Sequence, residues 1–109
     1  MPACDAVLSS GSLPLGERNS IADVPGVAVG HATLAEGDIR TGVTAVLPHD
    51  GDLFRDKVVA SAYVLNGFGK STGLMQLNEL GTAETPILLT NTFAVGTCSN
   101  ALIRLTELL

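Results

Sequence analysis

The sequence predicts an α/β fold, on three observations. Apolar, β-branched runs at Val27–Leu34, Thr41–Leu47, Val58–Leu65 and Ile87–Thr92 read as strands. Two stretches at helical spacing follow the later strands, running to about Leu80 and over Ala101–Leu109. Between the third strand and the first helix lies Asn66-Gly67-Phe68-Gly69-Lys70-Ser71-Thr72-Gly73, a loop with three glycines. Strand, glycine loop, helix is the layout in which backbone N–H groups can be aimed at a ligand.

In order along the chain, residues 1–20 mix Gly, Ser and Pro with little periodicity and read as a loose lead-in to a single domain over 21–109. Ile21-Ala22-Asp23-Val24 reads as a short extended piece, closed by a type II turn at Pro25-Gly26. Val27–Leu34 sets Val27, Val29, His31 and Thr33 on one face and Ala28, Gly30, Ala32 and Leu34 on the other, so something is expected to pack closely on the thin face. A polar turn, Ala35–Arg40, joins it to Thr41–Leu47, which Pro48 ends, and the pair predicts a hairpin. Pro48–Lys57 is the one charged stretch and reads as a solvated loop tip. Val58–Leu65 is almost continuously apolar and is expected to be covered on both faces.

Ser71 is the expected cap of the first helix and Gly81 its terminator. The fourth strand turns polar at its far end, Thr90-Asn91-Thr92. The last helix opens from Gly96-Thr97-Cys98-Ser99-Asn100, with Ser99 or Thr97 as cap. Its stripe of Leu102, Leu105, Leu108 and Leu109 has no glycine, basic last turn or polar tail after it, so the domain is expected to be incomplete at its C-terminal end. Each such leucine left exposed forgoes roughly 1.5–3 kcal/mol of burial.

Composition narrows the function. The net charge of −5, from 11 acidic and 6 scattered basic residues, argues against a nucleic-acid surface. Hydrophobic residues make up 46% and charged residues 16%, a balance that suits an oligomer or part of something larger. Cys4 and Cys98 are too few for a disulfide scaffold and are expected to be free thiols. No basic-then-apolar leader and no apolar run of membrane-spanning length is visible, so a cytoplasmic protein without membrane contact is expected.

Two polar clusters are candidates for a cleft: Asn66, Gly67 and Gly69 in the glycine loop, and Thr90, Asn91 and Thr92 beyond the fourth strand. Both follow buried-strand patterns, and open sheets put ligand groups at that edge. The bland alternatives are a tight packing corner for the first and an Asx or ST turn for the second. The glycine loop lacks the spacing of a phosphate-binding loop, because the position five residues before Gly69 holds Val64. His31 and His49 have no cysteine or carboxylate at ligand spacing, so both are read as structural and no metal is expected. Counted from Asp50, the glycine and glutamate positions of a calcium loop hold Arg55 and Ser61. No Gly-x-Ser-x-Gly elbow is present, and Cys98 is read as structural.

The order of several stretches resembles a known family. They are Asn19-Ser20-Ile21-Ala22-Asp23-Val24-Pro25-Gly26-Val27-Ala28-Val29-Gly30-His31, then Arg40-Thr41-Gly42-Val43-Thr44-Ala45-Val46-Leu47-Pro48, then Asn66-Gly67-Phe68-Gly69. Glu79-Leu80-Gly81 and Pro86-Ile87-Leu88-Leu89-Thr90-Asn91-Thr92 with Val95-Gly96 complete the pattern. The chain resembles, from about Asn19 onward, the serine aminopeptidases that include the L-aminopeptidase/D-Ala-esterase/amidase and the β-peptidyl aminopeptidases.

The resemblance implies part of a four-layer αββα sandwich like that of the N-terminal-nucleophile hydrolases. It implies a precursor that cuts itself before a serine, leaving associated α and β chains with that serine as nucleophile. Substrates would be short peptides, amides or esters with a free N-terminal amine. No cofactor or metal is implied, and the assembled protein would be a homo-oligomer. No catalytic residue carries over to a position in this chain, since the nucleophile and its partners are expected downstream. Lys70 stands where several members carry an acidic residue, which implies a different specificity. The rivals are a non-catalytic interaction module on the same scaffold and an anion binder using the loop at Asn66.

Overall fold

The computed structural model describes residues 12–108. Its centre is a three-stranded antiparallel sheet in the order β1 (Ala28–Glu36), β2 (Ile39–Leu47), β5 (Ile87–Thr90). The β1–β2 hairpin pairs Ala28 with Leu47 through Glu36 with Ile39, so the strands run two residues closer to the turn than the polar pattern suggested. Gly37 takes φ +56° at the first turn position, which is what a two-residue hairpin connection asks of that position. Gly26, at φ +85°, supplies the left-handed residue of the Pro25-Gly26 turn.

Ahead of the sheet, Ile21–Asp23 is a 3₁₀ turn instead of an extended piece. The reason is local: Ser20 Oγ accepts from Ala22 N, and the Asp23 carboxylate accepts from Ser20 N and Arg18 N. Ser-x-x-Asp is thus a reciprocal cap that outweighs the extended tendency of Ile21 and Val24.

The charged stretch after β2 is more organised than a solvated tip. Gly51 N donates to His49 Nδ1 at 2.9 Å, which leaves Nε2–H to donate to the Asp56 carbonyl at 2.7 Å. His49 therefore staples the loop across seven residues. Asp52 Oδ1 accepts from Phe54 N and Arg55 N, and Leu53 is tucked underneath at 6% exposure. His31 Nδ1 meets Thr44 Oγ1 across the hairpin at 2.8 Å. Both histidines have structural partners.

A long strand over Val58–Leu65 does not form. Only β3 (Val58–Val59) pairs, with β4 (Thr82–Ala83), a two-residue strand that sequence patterning missed. The remainder lies in no regular element, and its larger side chains are exposed, with Tyr63 at 88% and Leu65 at 84%. An apolar run becomes a strand only where neighbouring strands take its N–H and C=O groups. Beyond Val59, among the described residues, only Gly81 O, bonded by Ala60 N, and the Asn78 side chain, bonded to Ala62, do so.

Helix α1 spans Leu74–Leu80. Its cap is Gly73, at φ +89° with no side-chain cap bond, so Ser71 is not the cap. Gly81 ends the helix as expected, in the left-handed region at φ +69° with its N–H on Leu77 O. Helix α2 spans Val95–Glu107 and starts a turn earlier than Ser99 or Thr97 would place it. The Asn91-Thr92-Phe93-Ala94 turn, closed by Ala94 N on Asn91 O, releases the chain directly into helix.

Among the described residues only Leu53 and Ala83 are buried apolar side chains. The thin face of β1 is open: Ala28, Gly30, Ala32 and Leu34 are exposed, and a Cβ built on Gly30 meets nothing within 4 Å. The expected close packing on that face is therefore not supplied by the described residues. No helix among them is long and apolar enough to cross a membrane.

Candidate functional site

Helices α1 and α2 and strand β5 enclose an open groove of about 850 Å³. Val95, Cys98, Leu102 and Thr106 line it from α2, at the i, i+3, i+7, i+11 spacing of one helix face. This is not the stripe expected from the leucines, since Leu105 is 44% and Leu108 84% exposed. Starting α2 at Val95 brings Val95 and Cys98 into the lining and leaves Leu108 pointing away; Leu109 lies outside the described residues. Cys98 is a half-buried free thiol in this wall, and Cys4 lies outside the described residues.

Glu84, which lines the groove, accepts from Gln76 Nε2 at 3.0 Å and pairs with Lys57 Nζ at 3.9 Å. Lys57 also lies over the Phe54 ring, 4.2 Å from its centroid. Glu84, Gln76 and Phe54 all line the groove. The ion pair is partly exposed and contributes at most about 1 kcal/mol.

A smaller recess of about 260 Å³ adjoins the groove. Lys70, Ser71 and Leu74 line both, so the second half of the glycine loop is the partition between them. Asn66 and Gly69 line the smaller recess, Thr90 lines the groove, and Gly67, Asn91 and Thr92 line neither. The two sequence clusters thus flank adjoining cavities without meeting in one.

The asparagines act locally. Asn66 Oδ1 accepts from Phe68 N at 3.1 Å, and Asn91 Oδ1 accepts from Phe93 N and Ala94 N at 3.0 and 3.1 Å. Both are Asx turns, and each displays a phenylalanine two residues on, Phe68 at 91% and Phe93 at 96% exposure. Asn91 Nδ2 also donates to Thr41 Oγ1 at 2.9 Å, and Thr90 Oγ1 donates to Gly42 O at 3.2 Å. Together they lock the end of β5 onto the start of β2. Asn91→Ala removes the helix-entry bonds and the tie to Thr41. It is expected to cost about 1–2 kcal/mol, read as a lowered urea midpoint with unchanged slope.

The glycines divide by role. Gly73 needs its left-handed backbone, but Gly67 and Gly69 do not have positive φ, and a Cβ on either meets nothing within 4 Å. Neither chain geometry nor packing among the described residues requires glycine there. Cys98 and Leu102 are not among the sequence candidates for the cleft and are revealed by the helical phase of α2, which the tertiary structure sets; Lys70 and Ser71 reach both cavities from the glycine loop itself. Among the described residues no group of three His, Cys, Asp or Glu side chains is arranged to hold a metal.

The sequence model of Peptidase family S58 matches residues 19–108. The chain belongs to that family. It is 39% identical over 97 residues to the β-peptidyl aminopeptidase BapA of Sphingosinicella microcystinivorans, covering 81% of this chain and 24% of the relative. It is 42% identical over 90 residues to BapA of Sphingosinicella xenopeptidilytica, covering 74% and 22%. The fold superposes on the PH0078 protein from Pyrococcus horikoshii OT3 with TM-score 0.86 and 47% identity, over 97% of this chain and 33% of that one. On a Burkholderia sp. β-aminopeptidase the TM-score is 0.81 with 44% identity, over 89% and 29%. This S58 chain therefore spans about a quarter of the length of the curated relatives it matches. Its mixed α/β architecture is that of its S58 structural neighbours.

Proposed function

We propose that this chain is the N-terminal part of the α chain of a self-processing serine aminopeptidase or amidase. The enzyme would remove N-terminal residues from short peptides, amides or esters that carry a free amine. The observation that carries this reading is the family match over residues 19–108, joined to 39–42% identity with two β-peptidyl aminopeptidases. In this reading the chain is one portion of a four-layer αββα sandwich. The nucleophilic serine and its partners come from the remainder of the α chain and from a β chain; no catalytic residue lies within the 109. The mature protein is a cytoplasmic homo-oligomer that needs no cofactor or metal, and it contacts neither nucleic acid nor membrane.

Asn66, Gly67, Gly69, Thr90, Asn91 and Thr92 form cleft wall in this proposal. The unexplained openness at Gly67 and Gly69 supports that role, because a bare backbone lets a substrate approach closely. In the protein expressed from its full reading frame, Gly67→Ala and Gly69→Ala are expected to lower kcat/KM about tenfold with little change in thermal stability. Unchanged kcat/KM in both variants of an active enzyme removes the loop from the cleft. Intact mass separates the enzyme from the rival, a non-catalytic module on the same scaffold. Two associated chains with a new N-terminal serine support the former, and one uncut, inactive chain the latter.

A further inference from the structure

We infer that Asn78 is a positioning residue for the glycine loop, acting through the backbone of Ala62. Its Oδ1 accepts from Ala62 N at 2.8 Å and its Nδ2 donates to Ala62 O at 3.1 Å. A carboxamide carries the same donor and acceptor as a peptide unit, so Asn78 pairs with Ala62 as the residue of a neighbouring strand would. That pairing matters because, among the described residues, the segment has no such neighbour. Pairing with β4 ends at Val59, and one further bond runs from Ala60 N to Gly81 O. Among the described residues, the backbone of 61–69 is held only by Asn78 at Ala62 and by the Asx turn at Asn66.

The geometry gives the clamp leverage. Immediately beyond Ala62 come Tyr63, Val64, Leu65 and Asn66, all lining the smaller recess, and Lys70 and Ser71 follow as the partition to the groove. Helix α1 is itself anchored at both ends by left-handed glycines, Gly73 and Gly81. Asn78 thus transmits the position of α1 to the entry of the loop, while the loop's exit is joined covalently to the same helix. Asparagine is a poor interior helix residue, so α1 carries it against its own propensity. The catalytic consequence rests on the aminopeptidase reading; the positioning itself does not.

The test is Asn78→Ala and Asn78→Asp in the protein expressed from its full reading frame. Aspartate keeps an acceptor for Ala62 N–H but sets a second oxygen against Ala62 C=O, so it does not rescue. Both variants are expected to speed hydrogen exchange at the Ala62 and Phe68 amides about tenfold while leaving the β2 amides of Val43–Val46 unchanged. Both are expected to raise KM for an aminoacyl p-nitroanilide about five- to tenfold, with kcat altered much less. Unchanged exchange at Ala62, or unchanged KM in an active enzyme, overturns the inference. If the unsubstituted protein hydrolyses no such substrate, the aminopeptidase reading fails, and exchange alone decides whether Asn78 holds the loop.

Discussion

The 109-residue chain by itself is expected to hydrolyse no aminoacyl p-nitroanilide above the uncatalysed rate, whereas the full reading frame does. Under the proposed function the loss is complete, because the nucleophile comes from outside these residues. A second, physical reason points the same way. With only Leu53 and Ala83 buried among the described residues, the sheet and helices have no closed core. Tyr63, Leu65 and Met75 are 84–90% exposed, and covering each would contribute roughly 1.5–3 kcal/mol. An apolar surface of this extent does not stay bare in water. The isolated chain is accordingly expected to bind a hydrophobic dye strongly and to self-associate, both of which should disappear in the full-length product. Turnover by pure 109-residue material, free of copurifying enzyme, would overturn the functional reading.

Gly42→Ala is expected to have the largest effect on stability of any single methyl addition in the hairpin. Gly42 sits in β2, the central strand, opposite Thr33. A Cβ there would stand 2.6 Å from Ala32 O and 3.4 Å from Thr33 Cα, both backbone atoms of the paired strand. Neither can rotate away as a side chain would, so relief requires the two strands to part. Gly42 O also accepts from Thr90 Oγ1, so parting them disturbs the junction with β5 as well. The expected cost is about 2–3 kcal/mol, or a urea midpoint lower by on the order of 1 M. Gly30→Ala is the matched comparison, because a Cβ at Gly30 meets nothing within this chain. A near-neutral Gly30→Ala in the full-length protein leaves that face to solvent. A loss comparable to that of Gly42→Ala shows that the remainder of the protein covers it.

The hairpin was legible because everything that specifies it is local. Alternating Val and small residues, Gly37-Asp38 at the turn and Pro48 at the end act within twenty residues of one another. Gly81 as helix terminator is equally local, since only its own backbone decides it. The Ser20–Asp23 cap was legible in principle, as a Ser-x-x-Asp spacing, but the β-branched residues beside it suggested extension instead. Val58–Leu65 shows the opposite limit. Its apolar run states a need for neighbours on both sides, and the described residues provide them only at Val58, Val59 and, through side-chain and turn atoms, at Ala60 and Ala62.

By itself, the sequence determined the α/β class, the hairpin, the two helices and, through motif order, membership of the S58 family. Those depend on backbone preference and on residues near one another in the chain. Only the tertiary structure decided how the candidate site is arranged. It put Asn66 and Thr90 beside adjoining cavities, with Lys70 and Ser71 between them, and it turned Asn78 from a helix-face residue into a strand surrogate. A side-chain amide bridging sixteen residues leaves no period in the sequence, because its partner is a backbone and any residue type can offer one.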